Sequence, residues 1–349
     1  MKSAVFAVSV VVSSVVVAGP VLAQGAGGPG VAPASPSATA QSTAVSSGIQ
    51  SQSNNTAYVV LPGISAVIQQ TLLGPGLAAP RSGPRSTTDL GPMHRGMAAG
   101  DDPMGWQVWA QTGGGQATNS LATGGYSIGT YGAQLGVQKQ ITPEFLLGVS
   151  GSWQGSGGTL NGGFASTNST FGVTVYAGWQ LDEHWNVSAM AGYSAGSNTM
   201  TNSGFIYNAS YGSSQWSFQG GLNGYYKVGA VVLAPMVSIL YSPINSYGYT
   251  DSNLILVPGQ TTSLTRGSAG GFISLPLDKW QPYIRATIEQ DFNAPTGSGA
   301  NGYTGGTIGA GATVPLNDAI WASIDAGYNS IGRYALSSWS GSVRLSLRF

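Results

Sequence analysis

Residues 340–349 read Ser-Gly-Ser-Val-Arg-Leu-Ser-Leu-Arg-Phe, and this closing stretch decides the fold. Val343, Leu345, Leu347 and Phe349 fall on one face of a strand, while Arg344, Ser346 and Arg348 fall on the other. A strand with one apolar and one charged face needs two different surroundings. In a soluble sandwich or jelly roll the apolar face meets a second sheet. In an outer-membrane barrel it meets lipid, and the polar face lines a wet lumen. An aromatic last residue suits the second setting, with the final strand pairing back onto the first so that no edge is left.

The same alternation extends backward as far as Trp106. Twelve segments carry it, marked by Trp106–Ala110, Tyr131–Val137, Phe145–Trp153, Phe171–Trp179, Trp185–Tyr193, Trp216–Tyr226, Leu233–Tyr241, Thr265–Ser274, Pro282–Ile288, Ile308–Val314, Ile320–Ala326 and Trp339–Phe349. Their connections are expected to alternate long and short, with long polar loops near Gly113–Gly125, Ala195–Ser213 and Pro243–Thr261. In bacterial barrels the short connections are periplasmic and the strand number is even, which puts Trp106 and Phe349 on the periplasmic side. Trp179, Trp185 and Trp280 stand near strand ends, where aromatic girdles form. The expected fold is all-β, a transmembrane antiparallel barrel of about twelve strands over residues 106–349, preceded by a largely disordered segment.

The amino terminus has the pattern of a secretory signal peptide. Lys2 precedes an apolar run from Ala4 to Ala18, and Val21-Leu22-Ala23 supplies the small-residue exit, so cleavage is expected after Ala23. The run is shorter than the ~20 residues a spanning helix needs. Residues 24–105 are rich in Gly, Ala, Pro, Ser, Gln and Thr, and all 9 tryptophans follow them. Such a composition buries little and is expected to stay largely disordered. One island departs from it. Ile64, Val67, Ile68, Thr71 and Leu72 recur at helical spacing, so a short amphipathic helix is expected over 64–73, either within a barrel lumen or as a transient element of the linker.

Charge and chemistry narrow the function. Only 7% of residues are charged and the net charge is zero, which gives nucleic acid no electrostatic footprint. There are no cysteines and only two histidines, His94 in the low-complexity segment and His184 in a short turn. No serine–histidine nucleophile is expected from these, and no acidic cluster has metal-loop spacing, so neither an enzyme, a metal nor a cofactor is expected. The charges expected to face the lumen are Arg285, Glu289, Asp325, Arg344 and Arg348, with Asp325 and Arg344 placed to pair diagonally across the last hairpin. Their role is either structural pairing or tuning of a pore.

The region from Trp106 to Phe349 resembles the translocator barrel of the autotransporter family. The likeness rests on Trp106-Gln107-Val108-Trp109, on Leu135-Gly136-Val137 leading to Phe145-Leu146-Leu147-Gly148-Val149, and on Val175-Tyr176-Ala177-Gly178-Trp179 with Trp185 and Ala191-Gly192-Tyr193. Trp280-Gln281-Pro282-Tyr283 and the terminal Phe349 complete it. The resemblance implies insertion into the outer membrane of a Gram-negative bacterium by the barrel assembly machinery. That machinery would read Val343, Leu345, Leu347 and Phe349 as its signal. It also implies a monomeric barrel and a passenger joined through a helix in the pore. Here the segment ahead of the barrel is short and has no β-solenoid repeats. Three functions therefore fit: a translocator exporting a short amino-terminal segment, a porin-like channel, and a surface or adhesive barrel acting through its extracellular loops.

Overall fold

The computed structural model describes residues 36–73, 105–122, 125–202, 207–277, 280–294, 301–317 and 319–349. The signal peptide expected over 1–23, the remainder of the low-complexity segment at 24–35 and 74–104, and His94 lie outside the described residues. Twelve long strands form one closed antiparallel barrel among the described residues. They are β1 Trp106–Asn119, β2 Tyr126–Gln140, β3 Phe145–Leu160, β4 Phe164–Gln180, β5 Trp185–Asn202 and β6 Tyr207–Gly224. The second half is β7 Val231–Ser246, β8 Gln260–Ser274, β9 Gln281–Asn293, β10 Thr304–Pro315, β11 Ile320–Ile331 and β12 Leu336–Arg348.

Each strand pairs with the next, and β12 returns to β1 with Gln107 opposite Arg348 and Asn119 opposite Leu336. The Phe349 amide donates to the Trp106 carbonyl over 2.9 Å, so the last residue closes the seam at the level where the first strand starts. Closure satisfies every strand edge internally, which is the condition for spanning hydrocarbon with strands. None of the described helices is long and apolar enough to cross a membrane by itself.

The outward face is apolar over a band of limited height. On β4 the outward residues Phe171, Val173, Val175 and Trp179 are more than half exposed. At ~3.3 Å per residue that band runs about 26 Å along the strand, near the height of a lipid-facing belt. Leu135, Ile239, Ile284, Ile308 and Ile324 continue it around the barrel.

Above the belt the structure corrects the expected long loops. Residues 113–119 continue β1, and residues 195–202 and 207–213 continue β5 and β6, so these stretches are paired strand. The connection between β3 and β4 is only residues 161–163, and lengths do not alternate strictly. The physical reason is that above the belt the outward face meets water while the inner face packs on the helix, with Ala117, Met200, Ala209 and Tyr211 buried there, so the apolar-out, polar-in alternation is lost while backbone pairing continues regardless of side chain. A rule that reads strands from periodicity stops at the edge of the apolar belt.

Inside the barrel runs a helix much longer than residues 64–73. It comprises α1 Ala38–Asn55, a π turn at Thr56–Val60 and α2 Leu61–Leu73, of 18, 5 and 13 residues. Ser37 caps it, accepting from the Ala40 amide at 3.2 Å. At ~1.5 Å per residue the whole element is about 50 Å long, enough to run the height of the barrel.

Candidate functional site

The lumen and the helix within it form the candidate site. No residue from 36 to 73 is charged, so polar contact with the wall uses hydroxyls and amides. Near the long-connection end, Gln41 donates to Asp251 over 2.7 Å and accepts from Tyr207 at 3.1 Å, and Ser46 donates to Gln260 over 2.9 Å. Midway, Gln50 donates to Asn301 over 3.3 Å and Thr56 to Gln215 over 3.2 Å. Toward the short-turn end, Gln69 donates to Asn223 over 2.8 Å and Thr71 to Gln107 over 2.7 Å. The helix therefore has a direction. Its amino-terminal end stands among the long connections, and its carboxyl-terminal end stands beside the start of β1.

Two apolar collars grip it. At the upper end Ala44, Val45 and Ile49 pack among Ile128, Phe164, Met200, Tyr211, Ile244 and Val257. At the lower end Leu61, Ile64, Val67, Ile68 and Leu72 pack among Trp109, Leu146, Tyr176, Met190, Leu240 and Leu264. The lower collar depends on glycine. Gly136 stands opposite Trp109 and Gly148 opposite Tyr176 in the strand registers, and a Cβ on either would sit 2.3–2.4 Å from the facing ring. With no side chain there, both rings lie over the neighbouring strand, and Trp109 Nε1 donates to the Tyr176 hydroxyl over 2.8 Å. Gly178 makes room for Ile68 in the same way. A cavity of about 230 Å³ remains on the other side of α2, between Pro62, Ala66 and Gln69 and the wall residues Gln219, Phe272 and Tyr283.

A barrel with an uncharged helix threaded from its long-connection end to the start of its first strand is the arrangement the sequence resemblance implies, and the autotransporter beta-domain family model matches residues 108–343. The chain belongs to the autotransporter beta-domain family. Three solved translocator structures resemble it in fold. The translocator domain of autotransporter NalP from Neisseria meningitidis is 19% identical with a TM-score of 0.61, covering 70% of this chain and 89% of that one. The beta domain of the Bordetella autotransporter BrkA is 17% identical with a TM-score of 0.60, covering 70% and 100%. The transport unit of the autotransporter AIDA-I from Escherichia coli is 17% identical with a TM-score of 0.58, covering 72% and 93%. No curated protein matches the chain in sequence. The protein is thus an outer-membrane β-barrel with an autotransporter translocator fold.

In this autotransporter barrel the charges named from the sequence fall in four places. Arg285 and Asp325 are paired at 2.7 Å across β10, whose Gly309 leaves the path open, and Tyr283 donates to the same carboxylate over 2.8 Å while lying against Gly311. Asp325 thus takes Arg285 as its ion-pair partner in place of Arg344. Arg344 is opposite Ser323 and turns to the helix, donating to the Gly63 carbonyl over 3.0 Å. Arg348 is at the short-turn rim opposite Gln107. The remaining charge, Glu289, belongs to a buried square that sequence reading missed. Arg266 donates to Asp291 over 2.6 Å and lies 3.4 Å from Glu289, while Arg333 lies 2.8 Å from Asp291 and 3.4 Å from Glu289. All four side chains are at most 6% exposed.

The square is assembled by register and by glycine. Arg266 is opposite Asp291 and Ser268 opposite Glu289, so these side chains share the lumen face. Arg333 enters from the turn after β11, where Gly332 has a φ of +75°, and passes over Gly305, which has no Cβ to block it. A sequence signal was available in Glu289-Gln290-Asp291, since carboxylates two apart on a strand share a face. Buried paired charges in a chain with so few of them need counter-ions on the same face. The helix meets the square through Tyr58, whose hydroxyl donates to Glu289 over 2.7 Å beneath the Arg266 guanidinium. His184, in the short turn, stacks on Tyr226 with 4.9 Å between ring centroids.

Val343, Leu345, Leu347 and Phe349 point outward at the seam and are 36–51% exposed.

Proposed function

We propose that this translocator exports a short amino-terminal segment, residues 24–37, to the cell surface and keeps residues 38–73 as the helix that fills its pore. The direction of the helix carries this reading. Gln41 is held by Asp251 and Tyr207 among the long connections, and Thr71 reaches Gln107 at the start of β1. Long connections face outward in bacterial barrels, so chain ahead of Ser37 leaves on the extracellular side. On this reading the signal peptide at 1–23 directs passage through the inner membrane and is removed after Ala23. The barrel assembly machinery then recognises Val343, Leu345, Leu347 and Phe349 on the final strand, and the barrel works as a monomer in the outer membrane of a Gram-negative bacterium.

The test is an epitope inserted after Gly30. Protease added to intact cells is expected to remove it while leaving the barrel; full protection of the epitope on cells that display the barrel would overturn the reading. The cavity beside α2 gives a porin-like reading its one supporting observation. The intact protein would then show steady conductance in planar bilayers.

A further inference from the structure

We propose that the cavity beside α2 is a binding site for a small hydroxylated carboxylate, anchored by the Arg344 guanidinium and reaching down the helix to Gln70. The inference rests on the helix being seated in the pore, and not on where residues 24–37 go.

Apart from Arg348 at the rim, four arginines face the lumen among the described residues, and three of them meet carboxylates. Arg266 sets Nε and Nη2 on the two oxygens of Asp291, at 2.6 and 3.1 Å. Arg285 does the same to Asp325, at 3.2 and 2.7 Å. Arg333 lies against Asp291 and Glu289. Arg344 has no carboxylate against it among the described residues: its Nη1 donates to the Gly63 carbonyl over 3.0 Å, and its Nε is buried with no partner. Asp325 is already engaged by Arg285 and by the Tyr283 hydroxyl. Four guanidiniums therefore face three carboxylates, and the odd one lines the cavity. A buried charge without a counter-ion is costly. The Nε–Nη2 edge is the fork that takes a planar carboxylate through two parallel bonds, and one positive charge is balanced by one monoanion.

The rest of the cavity points to what that anion carries. Gly63, Ala66 and Gln70 recur at helical spacing and line the cavity together, so Gln70 stands ~10 Å down the helix from the carbonyl that holds Arg344. The amide oxygen and nitrogen of Gln70 are both buried without a partner. A free donor beside a free acceptor matches a hydroxyl, which can answer both. Thr313, Ser323 and Ser342 add hydroxyls on the wall, and Phe272 gives one apolar side. The volume of about 230 Å³ is many times the ~10–15 Å³ that one water needs.

Calorimetric titration of the full-length, detergent-folded protein in chloride-poor buffer tests the site, with D-glucuronate as the probe. Glucuronate is expected to bind saturably at one site per chain, acetate more weakly, and D-glucose, which has the ring without the carboxylate, not at all. Arg344→Gln is expected to weaken glucuronate by about tenfold or more, since a hydrogen-bonded charge is lost, with heat-modifiable mobility still reporting a closed barrel. Gln70→Ala is expected to weaken glucuronate several-fold while leaving acetate unchanged, and it supplies the answer if the Arg344 variant fails to assemble. Gln50→Ala, on a helix-to-wall contact away from the cavity, is expected to change neither. Absence of saturable binding by both glucuronate and acetate overturns the site, as does unaltered glucuronate affinity in both the Arg344 and Gln70 variants. Inorganic phosphate that displaces glucuronate at equal concentration overturns the assignment to a carboxylate.

Discussion

A glycine opposite an aromatic ring is the recurrent residue-scale device of this lumen. Trp109 over Gly136, Tyr176 over Gly148 and Tyr283 over Gly311 each put a large side chain where a neighbouring Cβ would stand less than 2.5 Å away. Cross-strand pairs are the unit of sheet stabilisation, and here the pair works because one member has no side chain. Gly148→Val tests it. The new side chain must displace the Tyr176 ring, which breaks the hydroxyl's contact with Trp109 and disturbs the collar under Ile68, at a cost of ~1–3 kcal/mol for overpacking. The urea midpoint of the detergent-folded barrel is expected to fall accordingly. Gly151→Val, on the same strand where no atom lies within 4 Å of the new Cβ, is expected to leave it nearly unchanged; equal effects at the two sites would refute the ring-on-glycine account. Alternation alone shows that Trp109 and Tyr176 share the lumen face. It does not show that each meets a glycine, because that depends on register between strands, which no single strand contains. The partner of Asp325 was hidden for the same reason: Arg285 reaches it across an intervening strand, through space that only Gly309 leaves free.

At the scale of the element, the helix shows why Ser/Thr/Gln-rich sequence reads as disorder. Amphipathic spacing presupposes one apolar and one aqueous side, whereas α1 is enclosed. Its hydroxyls turn back on its own carbonyls, as Ser46 does to Ser42 and Ser47 to Thr43, and its amides meet the wall. Only the lower part, with Ile64, Val67, Ile68 and Leu72 gathered in one collar, has the pattern of a core helix, and only that part was legible. The π turn has a local cause. Pro62 has no N–H, and within a helix its ring collides with the carbonyl four residues back, which is that of Tyr58. Widening the turn relieves the collision and fixes the rotation of α1 relative to α2. Pro62→Ala is therefore expected to restore regular helix through 56–60 and to rotate everything upstream. Cross-linking between Ser46→Cys and Gln260→Cys should be lost while that between Gln69→Cys and Asn223→Cys persists. Retention of both would mean that Pro62 does not set the turn.

For the whole molecule, the barrel and its helix divide the work of stability unequally. The barrel's backbone bonds run from strand to strand and close at Phe349 and Trp106, so they need nothing from the lumen. The lumen wall, though, carries Leu146, Met190, Leu240 and Leu264 in one collar and Met200 and Ile244 in the other, all covered by the helix. A pore built to stand open would line itself with polar groups; this one has two apolar rings that fit an uncharged helix of defined direction. Removing residues 36–73 should therefore leave a closed, heat-modifiable barrel that unfolds at lower temperature, because those collars lose their cover at ~25 cal/mol per Å² of apolar surface exposed. The same deletion should raise single-channel conductance in planar bilayers several-fold over the intact protein, in which the helix occupies the lumen and leaves a cavity of about 230 Å³ beside α2. The two readouts are coupled: a helix that seals the pore and also completes the collars must change both. Raised conductance with unchanged melting would make the helix a loose plug. Lowered melting with unchanged conductance would mean that the route for ions lies elsewhere than beside α2.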